Sequence, residues 1–259
     1  MKIKDANIVV TGAGSGIGRA LAHAFVRHGA ASVVVADRDE VAAMAVADEI
    51  NGRACQVDVA SPAAMDWLIE MAEQDGPVDL FCSNAGITVR GGTGVSEPEW
   101  ERIWRVNVMA HVACAKRLLP GMLERGSGHF LNVASAAGLL SQFDAPYTVT
   151  KHAAVAFAEW LSITYGDQGI GVSCLCPGGV DTPLFRSESE ARQHAMGEGL
   201  LGPDQVAEIA IEGLLENRFL ILTHEAVREQ AMRRARDTDR WVHGMRKFFS
   251  SVRDKEQRH

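Results

Sequence analysis

Short, continuously apolar runs alternate with helical stretches along most of the 259 residues. Runs typical of strands are "NIVVTG" (7–12), "SVVVAD" (32–37), "ACQVDV" (54–59), "VDLFCSNAG" (78–86), "GHFLNVAS" (128–135), "GVSCLCPG" (171–178) and "FLILT" (219–223). Strands that are apolar on both faces must be covered on both, which calls for a parallel sheet between two helical layers. The sequence therefore predicts one doubly wound α/β domain over residues 1–259, with about seven strands.

A glycine-rich turn, "TGAGSGIG" (11–18), joins the first predicted strand to the first predicted helix. Gly12, Gly16 and Gly18 let the backbone turn tightly, approach a pyrophosphate and pack the start of the helix against the sheet. The spacing is TGxxxGxG and not GxGxxG. Its position between a strand and a helix favours a dinucleotide site over a plain turn.

Further helices are predicted where start signals precede amphipathic stretches. One begins at Ser61-Pro62, and a long one begins at "SEPE", where Ser96 and Glu99 have capping-box spacing. The least regular stretch, residues 182–202, is rich in Gly, Ser, Glu and Ala. Because ligands bind at the carboxyl ends of the strands in such sheets, we predict that this stretch forms a substrate lid.

Tyr147 and Lys151 follow the predicted strand that ends at Ser135. On a helix their spacing places both side chains on one face, an arrangement that is also common on half-exposed helix surfaces. A unit positive charge about 4 Å from a phenol, at an effective dielectric of about 20, contributes about 4 kcal/mol, or roughly three pKa units. Lys151, helped by an oxidised nicotinamide, can therefore make Tyr147 the base that removes the hydroxyl proton of an alcohol.

Several motifs follow one another in a familiar order: TGxxxGxG, "NAG" (84–86), Asn107, Ser135, the Tyr147–Lys151 pair and "PG" (177–178). In this the chain resembles the short-chain dehydrogenase/reductase family, over roughly residues 5–223. Ser83 stands where the family often has Asn. The resemblance implies a Rossmann-like fold, a nicotinamide dinucleotide cofactor and hydride transfer at an alcohol or ketone carbon.

The resemblance also implies a role for each catalytic candidate. Tyr147 is the general acid or base, and Lys151 also holds the hydroxyls of the nicotinamide ribose. Ser135 hydrogen-bonds the substrate oxygen, although a serine at a strand end can also serve only its local backbone. Asn107 helps to hold a water that relays protons from the lysine; otherwise it is an amide on a helix surface, where Asn has poor propensity.

The cofactor-binding residues implied by the resemblance come from most of the strand ends. Asp58 and Val59 contact the adenine, and Thr182 contacts the nicotinamide carboxamide, although Thr182 can instead cap a helix. The full set is Gly12, Ser15, Gly16, Ile17, Gly18, Asp37, Arg38, Asp58, Val59, Asn84, Ala85, Gly86, Tyr147, Lys151, Pro177, Gly178, Val180 and Thr182.

Asp37 ends the second predicted strand and favours NAD over NADP. Its carboxylate can accept hydrogen bonds from both hydroxyls of the adenosine ribose and would repel a 2′-phosphate. Ser15 stands where NADP-dependent relatives often carry a basic residue. Arg38 instead favours NADP, because a guanidinium can bind the 2′-phosphate. A turn residue at a strand end is the alternative interpretation of Asp37.

Substrate-binding residues are inferred from family position, and most are apolar: Ser135, Ala137, Gln142, Phe143, Tyr147, Gly179, Leu184 and Phe185. Such a pocket offers little to hold a carboxylate or phosphate, so we predict a neutral, fairly hydrophobic secondary alcohol or its ketone. Arg186 and Arg192 leave an acidic or thioester substrate open, as for an NADPH-dependent carbonyl or 3-oxoacyl-thioester reductase. A non-catalytic dinucleotide sensor on this fold would be expected to lack Tyr147 or Lys151, and both are present.

Net charge, cysteine spacing and hydropathy limit which ligands, compartments and partners the sequence predicts. A net charge of −7 and a pI near 5.7 argue against nucleic acid as a partner. The five cysteines are scattered without a CxxC or HExxH motif, which predicts core thiols in a reducing compartment and no metal site. Because we find neither a targeting signal nor an apolar run of about 18 residues, we predict a cytoplasmic protein without a membrane partner.

The tail from Glu225 onward carries ten Lys/Arg and six Asp/Glu residues, although the whole chain is acidic. Trp241, Met245, Phe248 and Phe249 fall at helical spacing. This predicts an amphipathic helix packed on its own fold or on a neighbouring subunit, and not a membrane anchor. An interface helix is preferred over a membrane anchor, and the apolar stripe together with the family resemblance predicts a homotetramer with two-fold axes.

Overall fold

The computed structural model describes residues 1–141, 143–196 and 199–256. Its strands form a parallel sheet in the order β3-β2-β1-β4-β5-β6-β7. They are β1 (Asn7–Thr11), β2 (Ser32–Asp37), β3 (Arg53–Gln56), β4 (Leu80–Ser83), β5 (Gly128–Val133), β6 (Ile170–Cys176) and β7 (Leu220–Leu222). The predicted seven-stranded, doubly wound fold is confirmed.

Helices cover both faces of the sheet, with α1, α2 and α9 on one face and α3, α5 and α6 on the other. Along β1, Ile8 and Val10 pack towards the first layer, whereas Val9 packs towards the second. The helices are α1 (Gly16–Arg27), α2 (Glu40–Ile50), α3 (Pro62–Ala72), α4 (Glu97–Trp104), α5 (Ala110–Glu124), α6 (Ala145–Tyr165), α7 (Pro183–Arg186), α8 (Glu190–Met196), α9 (Pro203–Leu215), α10 (Glu225–Arg236) and α11 (Thr238–Glu256).

The direction in which strands are added reverses between β1 and β4. From β1 the chain adds β2 and β3 on one side, and then β4 to β7 on the other side. In an open parallel sheet this switch point leaves a crevice at the carboxyl ends of the strands. The glycine-rich turn after β1 and the "NAG" turn after β4 flank this crevice.

Two local predictions were wrong in detail. The third strand ends at Gln56 and not at residue 59, because the chain turns at Asp58, whose Oδ1 accepts the N–H of Ala60 (2.9 Å). Ser96 does precede α4, but its hydroxyl donates to the carboxylate of Glu99 (2.8 Å) and caps no backbone N–H. The predicted capping box is therefore not formed.

The predicted long helix consists of α4 and α5 joined by a π-helical turn, Arg105–Met109. Such a wide turn leaves the regular α-helical hydrogen-bonding ladder and is frequent at functional sites. Asn107 lies on this turn and is completely buried. It is thus not an amide on a helix surface.

The C-terminal helix α11 packs on its own chain. Its Phe248 and Phe249 rings lie 5.8 and 5.0 Å from the ring of Phe143, centroid to centroid. Trp241 packs against the small buried cluster of Ala136, Leu140 and Val227. Aromatic and aliphatic partners for this apolar stripe therefore lie within the same chain, which is one of the two predicted arrangements, and its role in a subunit interface stays a prediction.

The fold also bears on the predictions about the cysteines and about membrane-spanning segments. All five cysteines are free and buried, as predicted for core thiols. Within the described residues, none of the helices combines the length and the apolar character needed to span a bilayer.

Candidate active site

A cleft of about 1130 Å³ runs along the carboxyl ends of the strands, from the glycine-rich turn to α11. Most of the predicted site residues line it: Gly12, Ser15, Gly16, Ile17, Asp37, Arg38, Asp58, Val59, Asn84, Ala85, Gly86, Ser135, Phe143, Tyr147, Lys151, Pro177, Gly178, Gly179, Val180, Thr182, Leu184 and Phe185. Gly18, Asn107 and Ala137 lie behind the cleft wall. Gln142 lies outside the described residues.

Gly18 and Ala137 were predicted to contact ligands, but both are packed away from the cleft. A Cβ atom on Gly18 would overlap the carbonyl of Gly12, so this glycine serves the close packing of α1 on the turn. Ala137 is fully buried in a short 3₁₀ turn, and its N–H donates to Ser135 Oγ (3.0 Å). Its neighbour Ala136 lines the cleft instead.

Hydrogen bonds from neighbouring strand ends hold the glycine-rich turn. The N–H of Gly14 donates to Asp37 Oδ2 at the end of β2 (2.9 Å), and Asn84 Nδ2 donates to the carbonyl of Gly12 (3.1 Å). Gly12 has a φ of +63°, and a Cβ atom there would lie 2.7 Å from Ala85 Cα. Only glycine fits this close approach of two chain segments.

Tyr147 and Lys151 lie on one face of α6, as predicted. The Nζ atom of Lys151 lies 5.8 Å from the centroid of the Tyr147 ring and donates to the carbonyl of Val133, the last residue of β5 (3.1 Å). Ser135 follows two residues later. The hydroxyl of Ser135 is hydrogen-bonded with Tyr147, so these three side chains converge at the end of β5.

The ionisation of this group differs from the prediction. Burial raises the pKa of Tyr147; the hydrogen bond with Ser135 lowers it, and the Glu188 carboxylate raises it again. Burial also lowers the pKa of Lys151 to about 8. The expected fall of the phenol pKa is not found, because burial is the largest influence on Tyr147 and the ammonium of Lys151 is directed at the carbonyl of Val133.

Asn107 connects the turn after β4 to the catalytic helix. Its Oδ1 accepts the N–H of Ile87 (2.9 Å), while its Nδ2 donates to the carbonyl of Ile87 (3.0 Å) and to Thr150 Oγ1 (3.1 Å). A Cβ atom on Gly86 would lie 3.3 Å from Lys151 Nζ and 3.5 Å from Asn107 Oδ1. The absent side chain at Gly86 therefore lets the amide and the ammonium approach each other.

Asp37 is a turn residue, as one interpretation has it, and its side chain is also at the cleft, where the other interpretation stays a prediction. Its carboxylate accepts the N–H groups of Gly14 (2.9 Å) and Asp39 (3.1 Å), as a turn residue does, and it also lines the cleft. The side chain of Arg38 is exposed at the cleft edge. Thr182 is likewise both a cleft residue and the N-cap of α7, where its Oγ1 accepts the N–H of Phe185 (3.3 Å).

At the substrate end, Arg192 has carboxylate partners that the sequence did not predict. Arg192 binds Asp144 (Nη1–Oδ2 2.7 Å) and Glu188 (Nη1–Oε2 3.3 Å), and all three line the cleft. Arg186 pairs with Asp181 at the surface (2.7 Å). No local signal links Asp144 to Arg192, because they are far apart in the sequence.

His224 is a second residue that sequence patterns missed. The N–H of Gly178 donates to Thr223 Oγ1 (3.2 Å), so the threonine hydroxyl in turn donates to His224 Nδ1 (2.7 Å). The remaining His224 Nε2–H donates to the carbonyl of Gly199 (2.9 Å). This chain of hydrogen bonds ties the "PG" turn after β6 to the end of the 182–202 segment.

Comparison with known proteins agrees with this geometry. Residues 6–193 match the family model described as short chain dehydrogenase. A 1-deoxy-11-beta-hydroxypentalenate dehydrogenase of Streptomyces exfoliatus is 35% identical over 243 residues, covering 88% of this chain and 86% of that protein. A 2-keto-3-deoxy-L-fuconate dehydrogenase of Xanthomonas campestris pv. campestris is 35% identical over 196 residues, covering 73% of this chain and 63% of that protein.

Solved structures show the same architecture. A short-chain dehydrogenase/reductase from Burkholderia phymatum in complex with NAD superposes with a TM-score of 0.84 at 32% identity, covering 92% of this chain and 96% of that one. A short-chain dehydrogenase from Sphingobium yanoikuyae in complex with NADPH has a TM-score of 0.77 at 23% identity, covering 90% and 94%, and shares the fold. The chain therefore belongs to the short-chain dehydrogenase/reductase family, oxidoreductases that act on hydroxyl and keto groups with a nicotinamide dinucleotide.

Proposed function

We propose that the protein is an NAD-dependent oxidoreductase that interconverts a neutral, fairly hydrophobic secondary alcohol and its ketone. The observation that carries this proposal is the convergence of Ser135, Tyr147 and Lys151 in a cleft whose far end holds the glycine-rich turn and Asp37. A proton donor or acceptor and a dinucleotide-sized groove thus share one continuous space.

The residues present fit a dinucleotide. Gly12 and Gly16, with φ values of +63° and +54°, leave backbone free of side chains where a pyrophosphate would lie, at the start of α1. We assign Asp37 to the adenosine ribose and Lys151 to the nicotinamide ribose. When bound, the cofactor accepts a hydride from the alcohol carbon or donates one to the ketone carbon.

The preference for NAD rests on the carboxylate of Asp37 at the cleft. A 2′-phosphate beside it would be repelled, and the exposed side chain of Arg38 can turn to solvent. The Burkholderia phymatum structure, which holds NAD, is more similar to this chain than the Sphingobium yanoikuyae structure, which holds NADPH. An NADPH-dependent carbonyl or thioester reductase is the alternative that Arg38 supports.

The chain's own residues can move the proton. In our proposal Ser135 holds the substrate oxygen and Tyr147 takes the hydroxyl proton during oxidation, or returns it during reduction. Because burial raises the pKa of Tyr147, the rate of alcohol oxidation should rise with pH as the phenolate forms. We assign Asn107, next to Lys151 across Gly86, to help hold a water that relays protons from the lysine.

Substrate class is inferred from the cleft wall. Phe143, Leu184, Phe185, Trp241 and Phe248 supply apolar surface there. We further propose that the 182–202 segment closes over this end as a lid. A carboxylate-bearing hydroxy compound is the second candidate, because the names of the Streptomyces and Xanthomonas relatives denote carboxylates and because an arginine, Arg192, lies in the wall.

A panel of cyclic, aryl and steroid secondary alcohols, each offered with NAD, tests the proposal through the absorbance of the reduced nicotinamide. We expect turnover of at least one neutral alcohol. Turnover confined to carboxylated alcohols would favour the second candidate. Dinucleotide binding without turnover of any alcohol or ketone would indicate a dinucleotide sensor instead.

We also propose a cytoplasmic homotetramer. Large apolar side chains remain exposed along α4–α6, among them Val149, Trp160 and Ile163, which lie on one side of α6 and are 45%, 53% and 79% exposed. Free, buried cysteines fit a reducing compartment. Light scattering should give a mass near four times 27.9 kDa, whereas a lone 27.9 kDa species would contradict the assembly.

A further inference from the structure

Two arginines and two carboxylates meet at the substrate end of the cleft. Arg192 on α8 binds Asp144 at 2.7 Å and Glu188 at 3.3 Å, and Arg90 Nε lies 3.7 Å from Glu188 Oε2. Asp144 also accepts the N–H of Gly91 (2.8 Å). We call Arg90, Asp144, Glu188 and Arg192 the Glu188 cluster. As a whole the cluster is electrically neutral.

Most of the cluster is shielded from solvent. The side chains of Asp144, Glu188 and Arg192 are 8%, 11% and 16% exposed, whereas that of Arg90 is 50% exposed. The guanidinium carbon of Arg192 lies 5.1 Å from the centroid of the Phe143 ring. In such surroundings charges act on one another more strongly than in water, and a charge that loses its partner is strongly unfavourable.

Glu188 also lies close enough to the catalytic group for its charge to be felt there. It lines the same cleft as Tyr147, and its carboxylate raises the pKa of that phenol. A substrate bound against Tyr147 would therefore meet a wall in which the guanidinium of Arg192 already has two carboxylate partners, while Arg90 pairs with Glu188 outside the cleft lining. A substrate carboxylate would have to displace Glu188 or Asp144 from Arg192, or it would be repelled by both carboxylates.

We propose that Glu188 is a specificity-determining residue, whose carboxylate neutralises the arginines beside it and so selects neutral substrates over carboxylates. The inference rests on the proposed alcohol–ketone chemistry and goes beyond it, since a cleft with the same catalytic group but no carboxylate at position 188 would accept acids more readily. Removing the charge of Glu188 leaves the cluster with one net positive charge, because Asp144 alone then balances Arg90 and Arg192.

The test compares two probe ketones, acetophenone and 4-acetylbenzoate, which differ by one carboxylate. Their affinities are measured by calorimetry for the full chain saturated with NAD, where a ketone binds without turnover. We expect the wild type to bind acetophenone more tightly. In E188Q the ratio of 4-acetylbenzoate to acetophenone affinity should rise by about tenfold, as expected for one added charge near a bound anion.

Three further variants identify the cause. E188D keeps the charge and should keep the wild-type ratio even if packing loosens. D181N breaks the exposed ion pair with Arg186 (2.7 Å), which lies outside the cleft wall, and should also keep the ratio. In E188Q/R192Q the gain in relative affinity for 4-acetylbenzoate should disappear, because the charges of Arg90 and Asp144 again leave the cluster neutral.

Each result decides the matter. An unchanged ratio in E188Q, a gain that persists in E188Q/R192Q, or a wild type that prefers 4-acetylbenzoate would overturn the role of Glu188 while leaving the proposed hydride transfer intact. Failure of the NAD-bound wild type to bind either ketone would also overturn the inference, whereas the proposed function is decided separately by the panel of alcohols.

Discussion

The two ends of the cleft are held together by different kinds of contact. At the dinucleotide end, backbone groups take part in every link: the N–H of Gly14 binds Asp37, and the side chain of Asn84 binds the carbonyl of Gly12. At the substrate end, side chains from distant segments contact one another, as Phe143 does with Phe248. We therefore infer that the sheet fixes the position of the chemistry, whereas a few side chains from α8, α11 and the loop before α6 decide what can reach it.

This difference has a consequence that substitutions can test. A change at the dinucleotide end or at the catalytic group should alter turnover by a similar factor for every alcohol. A change at the substrate end should alter the ranking of alcohols and leave the dinucleotide affinity in place.

The largest expected effect is that of Tyr147→Phe. Losing the phenol removes the proton acceptor, so kcat should fall by about 10³-fold with every substrate, while the affinity for the reduced dinucleotide stays near the wild-type value. Tyr165→Phe is the matched control, because Tyr165 ends the same helix and packs edge-on against Trp160 outside the cleft. Retained turnover in Tyr147→Phe would refute the catalytic assignment.

Asp37→Ala should give the next largest effect. We expect the wild type to favour NAD over NADP by about a hundredfold in kcat/KM, since each 1.4 kcal/mol of repulsion is about tenfold, and the substitution should remove most of this preference. Arg38→Ala is the companion variant and should change little. A wild-type ratio near one, with NADP use that collapses in Arg38→Ala, would show that Arg38 governs the cofactor choice.

Lys151 should make a measurable contribution to the pH dependence of stability. Burial lowers its pKa from 10.5 to about 8, so the unfolded chain binds more protons between these values and the lysine's contribution to the free energy of unfolding rises with pH. Buried thiols act oppositely, because burial raises the pKa of Cys55 to about 11 and that of Cys114 to about 12. The quantity to measure is therefore the difference between wild type and Lys151→Met.

Denaturant unfolding from pH 8 to 9.5 should show this difference, wild type minus variant, rising by about 1.5 kcal/mol. The contributions of Cys55 and Cys114 do not depend on Lys151, so they are common to both proteins and cancel. A flat difference would mean that the ammonium of Lys151 is solvated in the folded protein.

Phe248→Ala should give the smallest of these effects. Truncating this ring opens the wall next to Phe143, so KM for the best apolar alcohol should rise by about tenfold, while the Kd for NAD stays within about twofold. Val242→Ala, on the same helix but outside the cleft and 43% exposed, is the matched control. Equal losses in both variants would mean that α11 acts only through general stability.

The dinucleotide end was predictable because its signals are local. The glycine-rich turn, Asp37 at a strand end and the pair Tyr147–Lys151 depend on spacings of a few residues, and the regular elements convert such spacings into neighbouring positions. The expected packing role of Gly18 is found, but the spacing did not show that this glycine is absent from the cleft surface. At the start of α4, the spacing likewise did not show that the side chain of Ser96 binds Glu99 and not the helix backbone.

The substrate end could not be predicted in this way. An amphipathic stripe shows that α11 must bury one face, but not which surface covers it. Phe248 packs against Phe143, which is more than a hundred residues away in the sequence. The pairing of Arg192 with Asp144 is likewise a tertiary contact without a local pattern. The arginine that left acidic substrates open in the sequence is held by two carboxylates in the fold.

The most direct test of the separation between the two ends is one kinetic experiment with a size series of neutral secondary alcohols. kcat/KM is measured for wild type, Asp37→Ala and Phe248→Ala at one NAD concentration below saturation. We predict that Asp37→Ala lowers kcat/KM by a common factor for all alcohols, whereas Phe248→Ala reorders them. A common factor for Phe248→Ala, or a reordering by Asp37→Ala, would contradict the assignment of chemistry to one end and selectivity to the other.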